Sequence, residues 1–202
     1  GTPCAFVLAD AVYGSDSRFR RMLETREQPY VLAVRSTHSL RFLEEWHLVQ
    51  TDPATMIAER PSTAWQALSA GEGAKGHRLY EWARVPLNHT AGEGFSRWLL
   101  ARRSLRDPEA IAYYFAYART NATLPELAAA AGLRWTIEEC FLRAKDDVGL
   151  DHCEARSWHG WHRHMSLVMA ASAFLVRLSA DQRRTAFRKP NKTSPRTQPA
   201  AA

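Results

Sequence analysis

An α/β fold is predicted by three features of the sequence. Two short apolar runs, Cys4–Ala9 and Tyr30–Val34, flank an amphipathic segment. Residues 78–118 carry strand-like stretches separated by turn residues. From Thr123 onward the spacing becomes helical.

The first run reads as a strand buried on both faces and ends at Asp10. Tyr13-Gly14-Ser15-Asp16 is a turn, with Ser15 or Asp16 as helix cap. Phe19, Met22 and Leu23 stand three and four apart, the spacing of an amphipathic helix, and Pro29 ends it. Tyr30–Val34 is the second buried strand. Strand, helix and strand within about thirty residues make a βαβ unit over residues 1–35.

Residues 36–118 are predicted to form a β-rich insertion. Arg78–Val85, Arg97–Ala101 and Ala110–Tyr117 are its strands, and Arg106-Asp107-Pro108-Glu109 is the turn of an antiparallel hairpin. Irregular or helical structure is expected near Leu40–Trp46 and Ala64–Leu68. Residues 119–180 are the C-terminal helices. Thr123-Leu-Pro-Glu126 is a capping box with proline in the first turn. Gly132 is expected to stop that helix, Thr136-Ile-Glu-Glu139 to cap the next, and an apolar helix from His164 to Leu178 to be buried on most sides.

Length and composition narrow the function. The 202 residues suit one domain or slightly more, and 46% are hydrophobic, enough for a sizeable core. No run of 18 apolar residues is present, so no membrane span is expected. No charged region followed by an apolar stretch opens the chain, so no secretory signal is expected. Gly1-Thr-Pro-Cys4 runs straight into a strand, as in a chain cut within a longer protein. Cys4, Cys140 and Cys153 lack CxxC spacing and fit a reducing cytoplasm. The net charge of +6 is unevenly placed: six basic residues and one acid lie between Asp181 and Ala202. That segment, 181–202, reads as a disordered basic tail, either solvated or touching DNA phosphates non-specifically.

The most informative segment is Arg134-Trp-Thr-Ile-Glu138-Glu-Cys-Phe-Leu-Arg-Ala-Lys145. At 100° per residue, Ile137, Phe141, Ala144 and Val148 form an apolar stripe suited to dock on a sheet. Arg134, Glu138 and Lys145 share a narrow charged row beside it. A solvated row of this kind is common. Its pairing with a strand ending in Asp10 is what singles it out.

At these residues the sequence resembles a known family. Arg134-x3-Glu138-x6-Lys145 matches three of the four elements of the Tyr-x2-Arg-x3-Glu-x6-Lys signature of insertion-sequence transposases of the DDE group. Ala9-Asp10-Ala-Val-Tyr13-Gly14, Val148-Gly-Leu-Asp151-His152 and Arg156-Ser-Trp158-His-Gly160-Trp161-His-Arg163-His164 resemble the IS-seven-zero-one-like branch, and the likeness runs from about Phe6 to Leu178. The signature tyrosine falls at Ala131, a departure from the pattern.

The resemblance implies an RNase H-like core with a β-rich insertion between the second and third catalytic carboxylates. Asp10 and Glu138 would be those two carboxylates and the metal ligands. The first carboxylate, on an upstream strand, would be missing, leaving the core incomplete. Two Mg²⁺ or Mn²⁺ ions would serve metal-dependent cleavage and strand transfer. Arg134, Lys145 and Arg163 would hold DNA phosphates.

The implied partners are transposon ends and target DNA, with no membrane, and a homodimer is one arrangement open to the full-length protein. The implied location is the bacterial cytoplasm, at the nucleoid when bound to DNA. An alternative is a catalytically inactive truncated transposase that binds only DNA or full-length transposase.

Other residues have open readings. His152, His159, His162 and His164 cluster near Cys153, but in no structural zinc spacing. Trp158 and Trp161 either stack on an unpaired base or pack in a core or lid. Trp65, Trp82 and Trp98 lie where related transposases place a base-flipping wedge. Glu139 is the rival of Glu138, which the Arg and Lys spacing favours.

Overall fold

The computed structural model describes residues 4–44, 47–73, 76–87 and 92–188. The chain divides into two compact units, Gly1–Ile137 and Glu138–Ala202.

The first unit is built on a six-stranded mixed sheet. β1 (Val7–Ala9) pairs in parallel with β2 (Tyr30–Val34), joined by α1 (Ala11–Ser15) and α2 (Ser17–Thr25), so the predicted βαβ unit is present. Asp16 caps α2, accepting from the Arg18 and Phe19 N–H groups. β3 (Leu40–Glu44) and β4 (His47–Thr51) form their own two-stranded sheet, followed by α3 (Pro53–Ala58) and a short 3₁₀ turn, Ser62–Ala64. β5 (Gln66–Gly73), β6 (Gly76–Pro86), β7 (Phe95–Ser104) and β8 (Ile111–Arg119) are antiparallel and complete the main sheet in the order β1-β2-β8-β7-β6-β5. The predicted insertion strands therefore extend the sheet begun by β1 and β2, because β8 pairs directly with β2, Leu32 opposite Phe115.

The predicted hairpin is β7–β8. The Ser104 hydroxyl accepts from the Arg106 and Asp107 N–H groups, and the Asp107 carboxylate accepts from Glu109 N–H, closing the turn. The expectation of irregular or helical structure near Leu40–Trp46 is corrected: Leu40–Glu44 is a strand, and residues 45–46 lie outside the described residues. Near Ala64–Leu68 the same expectation holds at Ala64, which ends the 3₁₀ turn, and is corrected from Gln66, where β5 starts. Where the strands form, cross-strand pairing decides what the local pattern left open.

Alternation of side chains buries both faces of the sheet. Tyr30, Leu32 and Val34 of β2 and Tyr113, Phe115 and Tyr117 of β8 face a core closed by Leu23 of α2 and Ile57 of α3. Val31, Tyr114, Ala116 and Trp82 face the opposite core, closed by Leu124, Leu127 and Ala128. β1 is shorter than the predicted Cys4–Ala9 run and only half-buried, since it lies at the sheet edge.

Those last residues open α4 (Leu124–Val148), one continuous helix. The capping box forms as predicted: Glu126 accepts from Thr123 N–H at 2.7 Å, and Thr123 Oγ1 accepts from Glu126 N–H at 3.4 Å. Gly132 does not stop the helix. A Cβ built there would lie 2.0 Å from the Ala70 carbonyl oxygen, so the glycine permits close approach of α4 to β5. Gly149, with φ +66°, ends α4 instead.

In the second unit, α5 (Trp158–Arg188) extends beyond both predicted ends. Its residues 181–188 are helical, which corrects the expected disorder there; residues 189–202 lie outside the described residues. The expectation that this helix is buried on most sides is also corrected. Leu167, Met169, Phe174 and Val176 are exposed, and Val168 is buried. Among the described residues no helix is long and apolar enough to cross a membrane.

Candidate active site

Asp10 follows β1 directly, at the C-terminal end of the parallel β1–β2 pair. Open α/β sheets gather their ligands at this end. Its Oδ1 caps α1, accepting from Val12 N–H at 3.0 Å and Tyr13 N–H at 3.4 Å. Those bonds fix the carboxylate while Oδ2 accepts no hydrogen bond from the described residues. Asp10 is solvent-exposed. An exposed carboxylate oxygen held on a rigid strand end suits a hard divalent cation. Gly14 keeps α1 against β2: a Cβ there would sit 1.9 Å from the Ala33 carbonyl oxygen.

The other sequence-predicted residues divide between the units. Arg134 belongs to the first and is half-buried. Its charge acts on Tyr114, whose hydroxyl is pushed up by burial, with Arg102 and Arg134 opposing. Glu138, Lys145 and Arg163 belong to the second unit and are all exposed. Glu139 is engaged with Arg143 one turn on, at 2.5 Å. Of the predicted stripe, Ile137 and Phe141 are more than half exposed and Ala144 and Val148 are half-buried; the buried residues of α4 lie within Leu124–Gly132. Ala131, where the signature tyrosine would fall, is one of the α4 residues buried against the core.

The tryptophans of the strands are not free wedges. Trp82 and Trp98 are core residues, and Trp65 is half-buried beneath the Arg103 guanidinium, 4.2 Å from its ring centre. Trp158 and Trp161 stack on each other at 5.7 Å, with His162 edge-on at 4.2 Å to Trp158. His164 Nε2 lies 3.1 Å from the Gly149 carbonyl and ties α5 to the end of α4. Among the described residues no three His, Cys, Asp or Glu side chains converge as a metal cage.

A polar network was not legible in the motifs. Glu24 takes a forked pair of bonds from Arg97, at 2.9 and 2.6 Å, and one from the Tyr30 hydroxyl at 2.7 Å. Burial would raise the Glu24 carboxyl, but the bonds from Arg97 and Tyr30 outweigh it and hold it below its ordinary range. Burial, and then the bond to Glu24, push the Tyr30 hydroxyl up, so it stays a donor. Beside this network Arg20 lies over the Phe115 ring at 4.8 Å and donates to the Gly14 carbonyl. The i, i+4 spacing of Arg20 and Glu24 was the one available sequence signal, and it is common on any exposed helix.

The family model for the transposase DDE domain matches residues 5–174, most of the chain and all the elements from β1 to the middle of α5. The chain belongs to the DDE transposase family. A mixed α/β structure with a large mixed sheet is consistent with the nuclease fold of DDE transposases. Members are nuclease and transferase enzymes that act on DNA and generally use divalent metals. The match spans Asp10, Arg134, Glu138, Lys145 and Arg163. Comparison with curated proteins found no match.

Proposed function

We propose that this DDE transposase chain contributes Asp10 and Glu138 to a two-metal site for cutting and rejoining the ends of an insertion sequence. The observation that carries the reading is Asp10 itself: a carboxylate capped on one oxygen, open on the other, at the C-terminal end of a parallel strand. Both residues offer hard oxygen donors, which fit Mg²⁺ or Mn²⁺. Bound there, the ions would stabilise the attacking and leaving oxygens of a phosphodiester. Asp10 would keep its oxygen in place through the α1 cap. Arg134, Lys145 and Arg163 would hold the DNA backbone.

The core is RNase H-like in this reading, with strands β3–β8 as the insertion between the two carboxylates. A third carboxylate would complete the set in this reading. The full-length protein acts in the bacterial cytoplasm on transposon ends and target DNA, as a member of the IS-seven-zero-one-like branch, with a homodimer as one arrangement.

The test is nicking of supercoiled DNA carrying the element's ends, with Mg²⁺ or Mn²⁺. This chain alone is expected to stay at background. Joined to its natural upstream segment it should nick, and Glu138→Gln should abolish nicking while Glu139→Gln spares it. Loss of activity in Glu139→Gln with activity kept in Glu138→Gln would refute the assignment. Absence of nicking in the longer protein would favour the alternative, a silent chain that binds only DNA or active transposase.

A further inference from the structure

We propose that a second site in the first unit, the cleft of about 520 Å³ beside α2, takes a phosphate group of a DNA strand. Its walls carry Ser15 and Ser17 at the α1–α2 junction, Arg20 on α2, His38 and Ser39 in the loop after β2, and Arg41 at the start of β3. None of these residues is among those assigned above to the metal or to DNA. The inference rests on the transposase reading only for the source of the phosphate.

Charge decides the class of ligand. Arg20, Arg21, Arg41 and Arg97 line the cleft, against one acid among the described residues, Glu24. That acid is already bound by Arg97 and Tyr30. The cleft is therefore cationic on balance. Arg20 is held in place by the Gly14 carbonyl and the Phe115 ring rather than by a carboxylate ion pair, leaving its remaining N–H groups for a ligand. Burial lowers the Arg20 pKa, and the nearby Tyr30, Glu24 and Asp16 offset that only in part.

His38 stands edge-on to the same Phe115 ring at 5.3 Å. Burial and then Arg20 hold its imidazole below the ordinary range, so at neutral pH it is an uncharged N–H donor. Guanidinium and imidazole donors, with the Ser17 and Ser39 hydroxyls, surround one cavity and match the two non-bridging oxygens of a DNA phosphodiester; guanidinium forks fit that geometry.

Position favours a DNA phosphate over a free one. Ser15 ends the helix that Asp10 caps, and five residues of helix rise span only about 7 Å. A strand with one phosphate at Asp10 would carry a neighbouring phosphate past the cleft mouth. Arg41 is exposed and lines the same cleft, where such a strand would meet it.

The experiment follows His38 ring resonances by NMR as the chain is titrated with inorganic phosphate and, separately, with a short DNA duplex, beside DNA affinity measured against salt. Both ligands should shift His38 and raise its apparent pKa by about one unit, and they should compete. Arg41→Ala should weaken binding equally for unrelated sequences and reduce the salt slope by about one, as should Arg20→Lys if it keeps the wild-type circular dichroism. Arg106→Ala, on the β7–β8 turn, should leave the His38 shift intact.

Phosphate that shifts His38 without competing with DNA would overturn the DNA source. DNA that binds with His38 unmoved and the Arg41→Ala slope unchanged would overturn the site, leaving the transposase reading untouched. DNA that moves His38 in a protein whose longer form never nicks would keep the site and sink that reading.

Discussion

Replacing Gly132 by alanine sets two rules of protein chemistry against each other. In an exposed helix interior the change is stabilising by about 1 kcal/mol, because alanine is the better helix former. Here the new methyl would meet the Ala70 carbonyl oxygen at 2.0 Å and its carbon at 2.7 Å. Both partners are backbone, so no side-chain rotation relieves the overlap, and α4 and β5 must separate by about 1 Å to restore ordinary contact. Overpacking of this kind costs about 1–3 kcal/mol.

The separation also strains a latch. Arg78 Nη2 donates to the Ala70 carbonyl at 2.8 Å and to the Gly132 carbonyl at 3.0 Å, while its guanidinium lies 4.9 Å from the Trp135 ring centre. Charged-donor bonds of this type are worth about 1.5–3 kcal/mol each, and partial loss is expected. After the helix-propensity gain, the net loss is about 2–3 kcal/mol, or roughly 5–10 °C in Tm for a chain of this size. Thermal and urea denaturation give the value. Ala129→Gly, exposed in the same helix, is the control and should cost about 1 kcal/mol from propensity alone. A Gly132→Ala protein at least as stable as wild type would refute the close-packing explanation.

Glu24→Gln should lower stability by about 1–3 kcal/mol near pH 7, because the amide cannot accept the full fork from Arg97. Since the folded-state carboxyl is held below its ordinary pKa, its stabilisation is complete above that value and is lost as pH falls through the lowered one. Wild type should therefore lose more stability than Glu24→Gln on acidification below about pH 4.5, a difference that urea titrations at several pH values detect. Thr123→Ala removes the side-chain half of the α4 capping box and should cost about 1 kcal/mol in the same assay; no loss would mean the box is ornamental to the fold.

The parts of the fold that could be read from sequence are those where a local pattern and its tertiary use agree. The β1–α–β2 unit followed from two apolar runs around a helical stripe. The β7–β8 turn followed from Asp107-Pro108, and the α4 start from Thr123 and Glu126. Two of the failures concern residues whose role is set by a partner that the local pattern does not reveal. Gly132 looked like a stop signal until Ala70 supplied a reason for a missing side chain. Leu40–Glu44 looked irregular or helical, and it is a strand paired with β4.

The site divides in the same way. Asp10 was visible because a strand end is a local feature, and its capping of α1 adds a structural duty that its spacing did not reveal. The arginines and histidine of the α2 cleft were invisible because Arg20, His38 and Arg41 come from three separate elements with no shared period.

Iron mapping addresses the pairing of Asp10 with Glu138 without relying on turnover. With Fe²⁺ in place of Mg²⁺ in the longer protein, ascorbate and peroxide generate hydroxyl radicals at the bound ion, and these cut the polypeptide nearby. A shared metal pair predicts chain cuts around both Asp10 and Glu138, lost together in Asp10→Asn, a change that preserves the α1 cap. Cuts around one residue alone, or cuts at Glu138 that persist in Asp10→Asn, would contradict it.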